Sequence, residues 1–312
     1  MDSVLIWGTG SYYDRYVANW VSRNEVNVLA FISGETTVCR VLDGRPIIRP
    51  EAISNFEYDY IIIASNSYDE IKRRALTEFK IPIRKLINGK VIKHPCFNWK
   101  RYVNILKSEV TLIAEACYGG YIYNQLGLQF NSPFINTRIE EYDYLKLLEH
   151  LEYYLQQPII CEQDIESSED IDVCLSSPLV SWGKAGYPIF VLGDVKLHAI
   201  HAESADSYLE SWIRRSKRIN LNNTLAMMII ENDDVADRFS KLNIKNKIGF
   251  YYKETGCKDI VCLKEWDNFK IRLRSGHDFL SYVHHLFWDE KFIRYIDIFK
   301  MLNGENDFIR MY

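Results

Sequence analysis

The feature that most constrains this chain stands at its start. A β-prone run, Val4-Leu5-Ile6-Trp7, delivers the backbone into Gly8-Thr9-Gly10. Large apolar residues then recur at Tyr13, Tyr16, Val17 and Trp20, which is the spacing of a helix over 12–21. Strand, tight glycine turn and helix form the first arm of a Rossmann-type unit. Glycines let the backbone approach a phosphate closely, and a helix amino end offers it unpaired N–H groups. The following residues keep the rhythm. Residues 26–32 and 59–64 read as strands, and 82–87 as a short further strand. Between them, 67–79 reads as a helix with Ile71, Ala75, Leu76 and Phe79 on one side. The element order predicts an α/β fold that opens on a Rossmann-like parallel sheet.

The dinucleotide fingerprint is incomplete. Its full form is Gly-x-Gly-x-x-Gly, with an acidic residue near the end of the second strand. Here Tyr13 holds the third glycine position, and Ser33 follows the second strand where a carboxylate would bind ribose. Gly8 and Gly10 are therefore candidate cofactor contacts under three readings. They serve a nicotinamide or flavin dinucleotide, another nucleotide or phosphate, or a scaffold that keeps the glycine turn without a ligand. The motif leaves the cofactor unknown.

Asn88-Gly89-Lys90 is a turn, and Pro95 biases His94 away from helix. A boundary here divides the chain into a nucleotide-fold domain, 1–93, and a larger α/β domain, 94–312. The second part repeats the opening logic. Val110-Thr111-Leu112-Ile113-Ala114 is strand-like, Glu115 to Gly120 carries two glycines, and 121–126 is helical until Gly127. Gly119 and Gly120 would let a ligand approach the backbone. Cys117 has two readings: a nucleophile at a helix start, where its pKa would fall, or a small hydrophobe buried beneath the turn.

Phe130 to Ile139 is the most distinctive stretch, with Asn131, Ser132, Asn136, Thr137 and Arg138 set among Phe and Ile. These side chains suit a pocket for a polyhydroxylated or phosphorylated ligand, and they also suit a loop that caps itself. Residues 141–155 read as one amphipathic helix. Residues 188–192 and 195–201 read as strands about a Gly193-Asp194 break. Asp194 is a candidate base or metal–pyrophosphate ligand, with a plain Asp turn as the other reading. His198 and His201 face opposite sides of a regular strand and make a poor chelate, so no metal site is expected.

A helix over 205–218, with Ala205, Leu209, Trp212 and Ile213 as its packed face, ends in Arg214-Arg215-Ser216-Lys217-Arg218. Four positive charges in five residues exceed what a helix carboxyl end needs and attract phosphate. Asn220, close behind, adds a neutral donor. Residues 225–230, 247–252 and 260–263 read as strands, 235–242 as a helix, and 279–302 as a long aromatic-rich helical region. His284 and His285 are framework residues within it.

Composition closes off other classes. The net charge of −4 argues against a dedicated nucleic-acid binder. No segment reaches the roughly 20 apolar residues of a membrane span. Seven cysteines without a Cys-x-x-Cys pair read as reduced thiols, and the amino end lacks the pattern of an export signal. The expected location is cytoplasmic.

Four stretches carry a family resemblance: Cys117-Tyr118-Gly119-Gly120, Gly127 to Phe134, Tyr187-Pro188 with Leu192-Gly193-Asp194, and Trp212 to Asn220. Over about Lys107 to Phe250 the chain resembles the bacterial family grouped as domain of unknown function 1919, often labelled exopolysaccharide biosynthesis proteins. The first part resembles nucleotide-fold units at the front of sugar-modifying transferases. The resemblance implies surface-polysaccharide or capsule assembly on the cytoplasmic side, with peripheral association with polysaccharide-synthesis proteins. It assigns no catalytic residue.

Three functions follow as expectations. The first is a transferase for a nucleotide-sugar or phosphorylated glycan precursor. In it, Arg214, Arg215 and Arg218 neutralise a diphosphate, Asn131, Asn136 and Asn220 bind hydroxyls or phosphate, and Asp194 is base or metal ligand. The second is an NAD-dependent sugar-modifying enzyme using Gly8 and Gly10. The third is a non-catalytic scaffold.

Overall fold

Apolar runs become strands buried on both faces, as parallel sheets require. The structure, a computed structural model, describes residues 1–34, 40–163, 187–264, 283–284, 286–287 and 295–309. Residues 171–175, whose sequence also reads as a strand, most of the helical region expected at 279–302, and His285 lie outside these residues.

The chain divides into two compact units. The first is Met1–Leu106 with Asn124–Leu128, and the second is Lys107–Tyr123 with Gln129–Tyr312. In the first, β1 (Ser3–Trp7), β2 (Asn27–Ile32), β3 (Val41–Leu42), β4 (Arg45–Ile48), β5 (Tyr60–Ile63) and β6 (Leu86–Asn88) form one sheet, ordered β3-β4-β2-β1-β5-β6. Only β3 pairs antiparallel. The β3–β4 hairpin had no clear sequence signal, since a two-residue strand shows no alternation. The first unit runs on past residue 93. Trp99 packs at a tilt against Trp20, with ring centres 5.3 Å apart, and its indole N–H donates to Asp2 at 2.8 Å.

In the second unit, β7 (Thr111–Ala114), β11 (Thr224–Ile229), β12 (Lys247–Tyr251) and β13 (Ile260–Cys262) form a parallel sheet ordered β13-β12-β11-β7. β8 (Ile159–Gln163), β9 (Ile189–Leu192) and β10 (Val195–His198) form an antiparallel sheet ordered β10-β9-β8. The hairpin turn is Gly193-Asp194, and Gly193 takes φ +67°, which suits a residue without Cβ. As the alternation predicts, Val195 and Leu197 are buried and Lys196 is exposed.

One core joins both sheets to the helices Glu141–Glu149, Ala205–Ser216 and Asp233–Lys241, through Tyr144, Leu148, Phe190, Trp212, Met228 and Phe239. The helix expected over 141–155 breaks at His150, whose backbone (φ −130°, ψ 39°) leaves the helical region, and resumes at Leu151–Gln156. The helix at 205–216 buries Tyr208 and Trp212, while Ile213 is half exposed. The packed face therefore lies one residue round from the expected one. Lys247 opens β12 with its ammonium buried against a helix end. It donates to the carbonyls of Phe239, Ser240 and Leu242 at 2.8, 2.9 and 2.6 Å, which closes the helix Asp233–Lys241.

Candidate functional site

The glycine turn of the first unit serves the sheet. Gly8 sits at φ +131°, and a Cβ there would lie 2.2 Å from the Ala64 carbonyl oxygen. Gly10 faces open space. The expected helix over 12–21 forms, running from Ser11 to Val21, and its turn Tyr13–Val17 is π-helical. Tyr13 opens that turn. Its ring packs edge-on against Phe31 at 4.9 Å, and its hydroxyl donates to Asp43 at 2.5 Å. The third-glycine position is thus filled by a phenol, and the helix that follows opens with Asp14 N–H donating to the Gly10 carbonyl at 3.3 Å.

The second unit gathers its chemistry at the carboxyl end of the parallel sheet, where open α/β sheets bind ligands. Glu115 follows β7 directly and is 1% exposed. Its carboxylate accepts from the Tyr118 hydroxyl at 2.7 Å and from the Ile229 backbone N–H, at the end of β11, at 2.9 Å. Burial pushes its pKa up to about 7, against those hydrogen bonds and the Arg138 charge, which pull it down. Arg138 is held by its backbone, which exchanges both hydrogen bonds with His198, and Ile139 N–H donates to the Glu115 carbonyl at 2.8 Å. Its guanidinium lies 3.7 Å from Glu140. Glu141 continues the polar edge by accepting from Glu231 N–H and the Asn232 amide.

Sequence reasoning placed Cys117, Gly119, Gly120, Asn136 and Arg138 in a site and passed over Glu115. A single acid after an apolar strand has no motif. The one signal available was its position, between a fully apolar strand and Ala116-Cys117. The structure brings Cys117 and Arg138 within electrostatic reach of Glu115 and sets Asn136 against Gly120. The glycines, however, are not in a turn. They lie in the first turn of the helix Tyr118–Gln125, which starts earlier than expected. A Cβ on Gly119 would meet the Ala114 side chain at 3.2 Å, and one on Gly120 would meet Asn136 and Ile135, both at 3.2 Å. Protein occupies the space that a ligand was expected to take. Asn136 takes the left-handed conformation, φ +61°. Cys117 is fully buried, and desolvation pushes its thiol up to about 12, so it stays protonated as a small hydrophobe.

Among the described residues, the remaining expected residues make their hydrogen bonds with partners other than Glu115. Arg215 donates to the Ile135 carbonyl at 3.4 Å and lies over the Phe130 ring at 5.2 Å. Arg218 donates to the Phe130 carbonyl at 3.2 Å. Burial first, then repulsion from neighbouring arginines, lowers both pKa values. Arg214 is exposed and reaches Ser211. Asn220 N–H donates to Thr111, and its amide donates to the Ser108 carbonyl. The Asn131 carbonyl accepts from Thr111 at 3.5 Å. Arg215, Arg218 and Asn220 thus brace the 130–135 segment and the amino end of β7. The polar residues between them cap that segment from within: Ser132 accepts from Phe134 N–H, and Thr137 bonds Tyr208.

Asp194 stands on the exposed hairpin turn. It accepts from the Tyr154 hydroxyl at 2.6 Å and the Lys146 ammonium at 3.0 Å. Those two bonds lower its pKa, which makes it a weaker base than an ordinary carboxylate.

An α/β fold with a buried carboxyl at the carboxyl end of a parallel sheet defines the class of this protein. Residues 88–303, more than half of the chain, match the family described as Domain of unknown function (DUF1919), and the chain belongs to that family. Residues 1–87 match the family described as C2185-like, N-terminal. An uncharacterized protein of Haemophilus influenzae is 30% identical over 148 residues, 46% of this chain and 62% of that protein. The chain thus spans about three fifths of the length of the curated relative it matches. No helix among the described residues is long and apolar enough to cross a membrane.

Proposed function

We propose that this chain is a transferase for a nucleotide-sugar or phosphorylated glycan precursor, with its chemistry centred on Glu115. One observation carries the reading. A buried carboxyl with a pKa raised to about 7 sits at the ligand-binding end of a parallel sheet, beside an arginine. A carboxylate in that range takes a proton from an acceptor hydroxyl as the bond to the donor forms, and it returns the proton to solvent afterwards. Tyr118 and Ile229 N–H hold it in place. Arg138 meets the phosphate that leaves, where negative charge develops. In this reading the enzyme works on the cytoplasmic side, and polysaccharide-synthesis proteins receive its product.

The test is turnover of nucleotide-sugars by the purified chain, with and without magnesium or manganese. Glu115→Gln is expected to abolish transfer and keep donor binding, while Arg138→Ala weakens donor binding. Transfer by Glu115→Gln at the parent rate removes the proposal.

A second reading, a non-catalytic scaffold, is favoured by the placement of Gly119, Asp194 and Arg215, each of which supports local structure. It predicts that no nucleotide-sugar binds. The nicotinamide alternative through Gly8 and Gly10 has the Tyr13 phenol against it. Absence of binding to both oxidised and reduced nicotinamide dinucleotide would end it.

A further inference from the structure

We propose that the amino end of the parallel sheet in the second unit carries a separate binding site for a neutral saccharide. This goes beyond the reaction proposed above and stands on different residues. A cavity of about 500 Å³ opens where β11 and β12 begin, between the break at His150 and the turns before the two strands. That volume lies within the range of small-molecule sites, about 300–1,000 Å³.

Its floor is apolar, from Leu148, Leu151, Ala226 and Ile244. Its rim carries three amides, Asn222, Asn243 and Asn246. None of the three side chains makes a hydrogen bond to another described residue, whereas Asn220 and Asn223 nearby spend theirs on the fold. Glu149, Glu152, His150 and Lys245 complete the rim, and they too make no ion pair among the described residues. Tyr153 stands at the edge, 58% exposed, its ring edge-on to Tyr154 at 5.2 Å.

This chemistry selects its ligand. An amide both donates and accepts, which matches adjacent hydroxyls that do the same. An exposed aromatic ring offers an apolar face to the C–H side of a sugar ring. The two carboxylates beside Lys245 and His150 leave no strong excess of either sign, which disfavours a polyphosphate and suits an uncharged polyol.

The experiment is saturation-transfer NMR and calorimetric titration of the full chain. The probes are methyl glucoside, methyl galactoside, methyl N-acetylglucosaminide and maltotriose, with pyrophosphate for comparison. We expect at least one saccharide to bind. Tyr153→Ala, at an exposed position, should weaken it at least about tenfold, and Tyr153→Phe should preserve it. Asn246→Ala should weaken it as well, while Glu115→Gln leaves it unchanged, which separates this site from the reaction site. No binding of any saccharide overturns the proposal. So does binding that survives both Tyr153→Ala and Asn246→Ala, and so does pyrophosphate binding more tightly than every sugar and failing in Lys245→Ala.

Discussion

The turns after β1 and after β7 look alike in sequence: an apolar strand, two glycines and a helix. They are used differently. After β1, Gly8 lets the chain pass against the Ala64 carbonyl, and the group buried there is the Tyr13 phenol, with no buried carboxyl among the described residues of the turn. After β7, the glycines lie inside the helix and let it sit close to Ala114, Ile135 and Asn136, while the turn itself buries the Glu115 carboxyl. The first turn stores geometry and the second stores a proton equilibrium. A glycine motif therefore marks close backbone packing in both places and marks chemistry in neither.

Substitutions can break this contrast, and the largest effect is expected at Gly8. Gly8→Ala forces a Cβ against backbone at a positive φ, and should cost about 3 kcal/mol or more. Gly10→Ala, in open space, should change stability by less than about 0.5 kcal/mol. Denaturant titration measures both, and equal costs would mean that the turn is not shaped by Ala64.

Glu115 gives the next effect, through pH. Its folded pKa, about 7, stands above the ordinary 4.5. Between these values the unfolded chain gives up the proton and the folded chain keeps it. Stability from this group is thus fully present below pH 4.5 and falls as pH rises to about 7, by a total on the order of 3 kcal/mol. Glu115→Gln should flatten that slope in denaturation curves taken across the window. A slope unchanged in the variant would place the buried charge elsewhere.

Arg215→Ala should lose about 1–2 kcal/mol, because it removes a bond to the Ile135 carbonyl and the cover over Phe130. Arg214→Ala, exposed, should lose almost none. Equal stability for the two, with weakened nucleotide-sugar binding in Arg215→Ala, would restore the anion role at this helix end. Gly120→Ala should cost about 1 kcal/mol by pressing on Asn136 and Ile135. The smallest effect belongs to Asp194→Asn, which should leave both the thermal midpoint and any transfer activity near those of the parent. Loss of transfer there would move the base from Glu115 to the hairpin.

The strands of both parallel sheets were legible because burial on two faces leaves an unbroken apolar run, as in Tyr60–Ile63 and Thr111–Ala114. The hairpin at 193–194 was legible because Val195 and Leu197 alternate with Lys196. The break at His150 was not, since the apolar spacing runs through it without interruption. The candidate site was half legible. Arg138 and Asn136 drew notice as polar residues in apolar company, and Arg138 and its neighbour Ile139 do reach Glu115. The acid itself escaped because its burial depends on Ile229 and Tyr118, one of them 114 positions away. The basic cluster misled for the opposite reason. Charge density is visible in sequence, whereas the carbonyls that absorb it, Phe130 and Ile135, carry no mark of their own.

Lys247 brings a kinetic consequence. All three of its N–H bonds end on carbonyls at the close of the helix Asp233–Lys241, while its own backbone begins β12. That helix end cannot fray while the strand stays in place without leaving a buried ammonium short of acceptors. Amide hydrogens in the last turn of the helix and in the first residues of β12 should therefore exchange with deuterium at one shared opening rate. In Lys247→Met the helix end should exchange faster than the strand, and the two would part into separate openings.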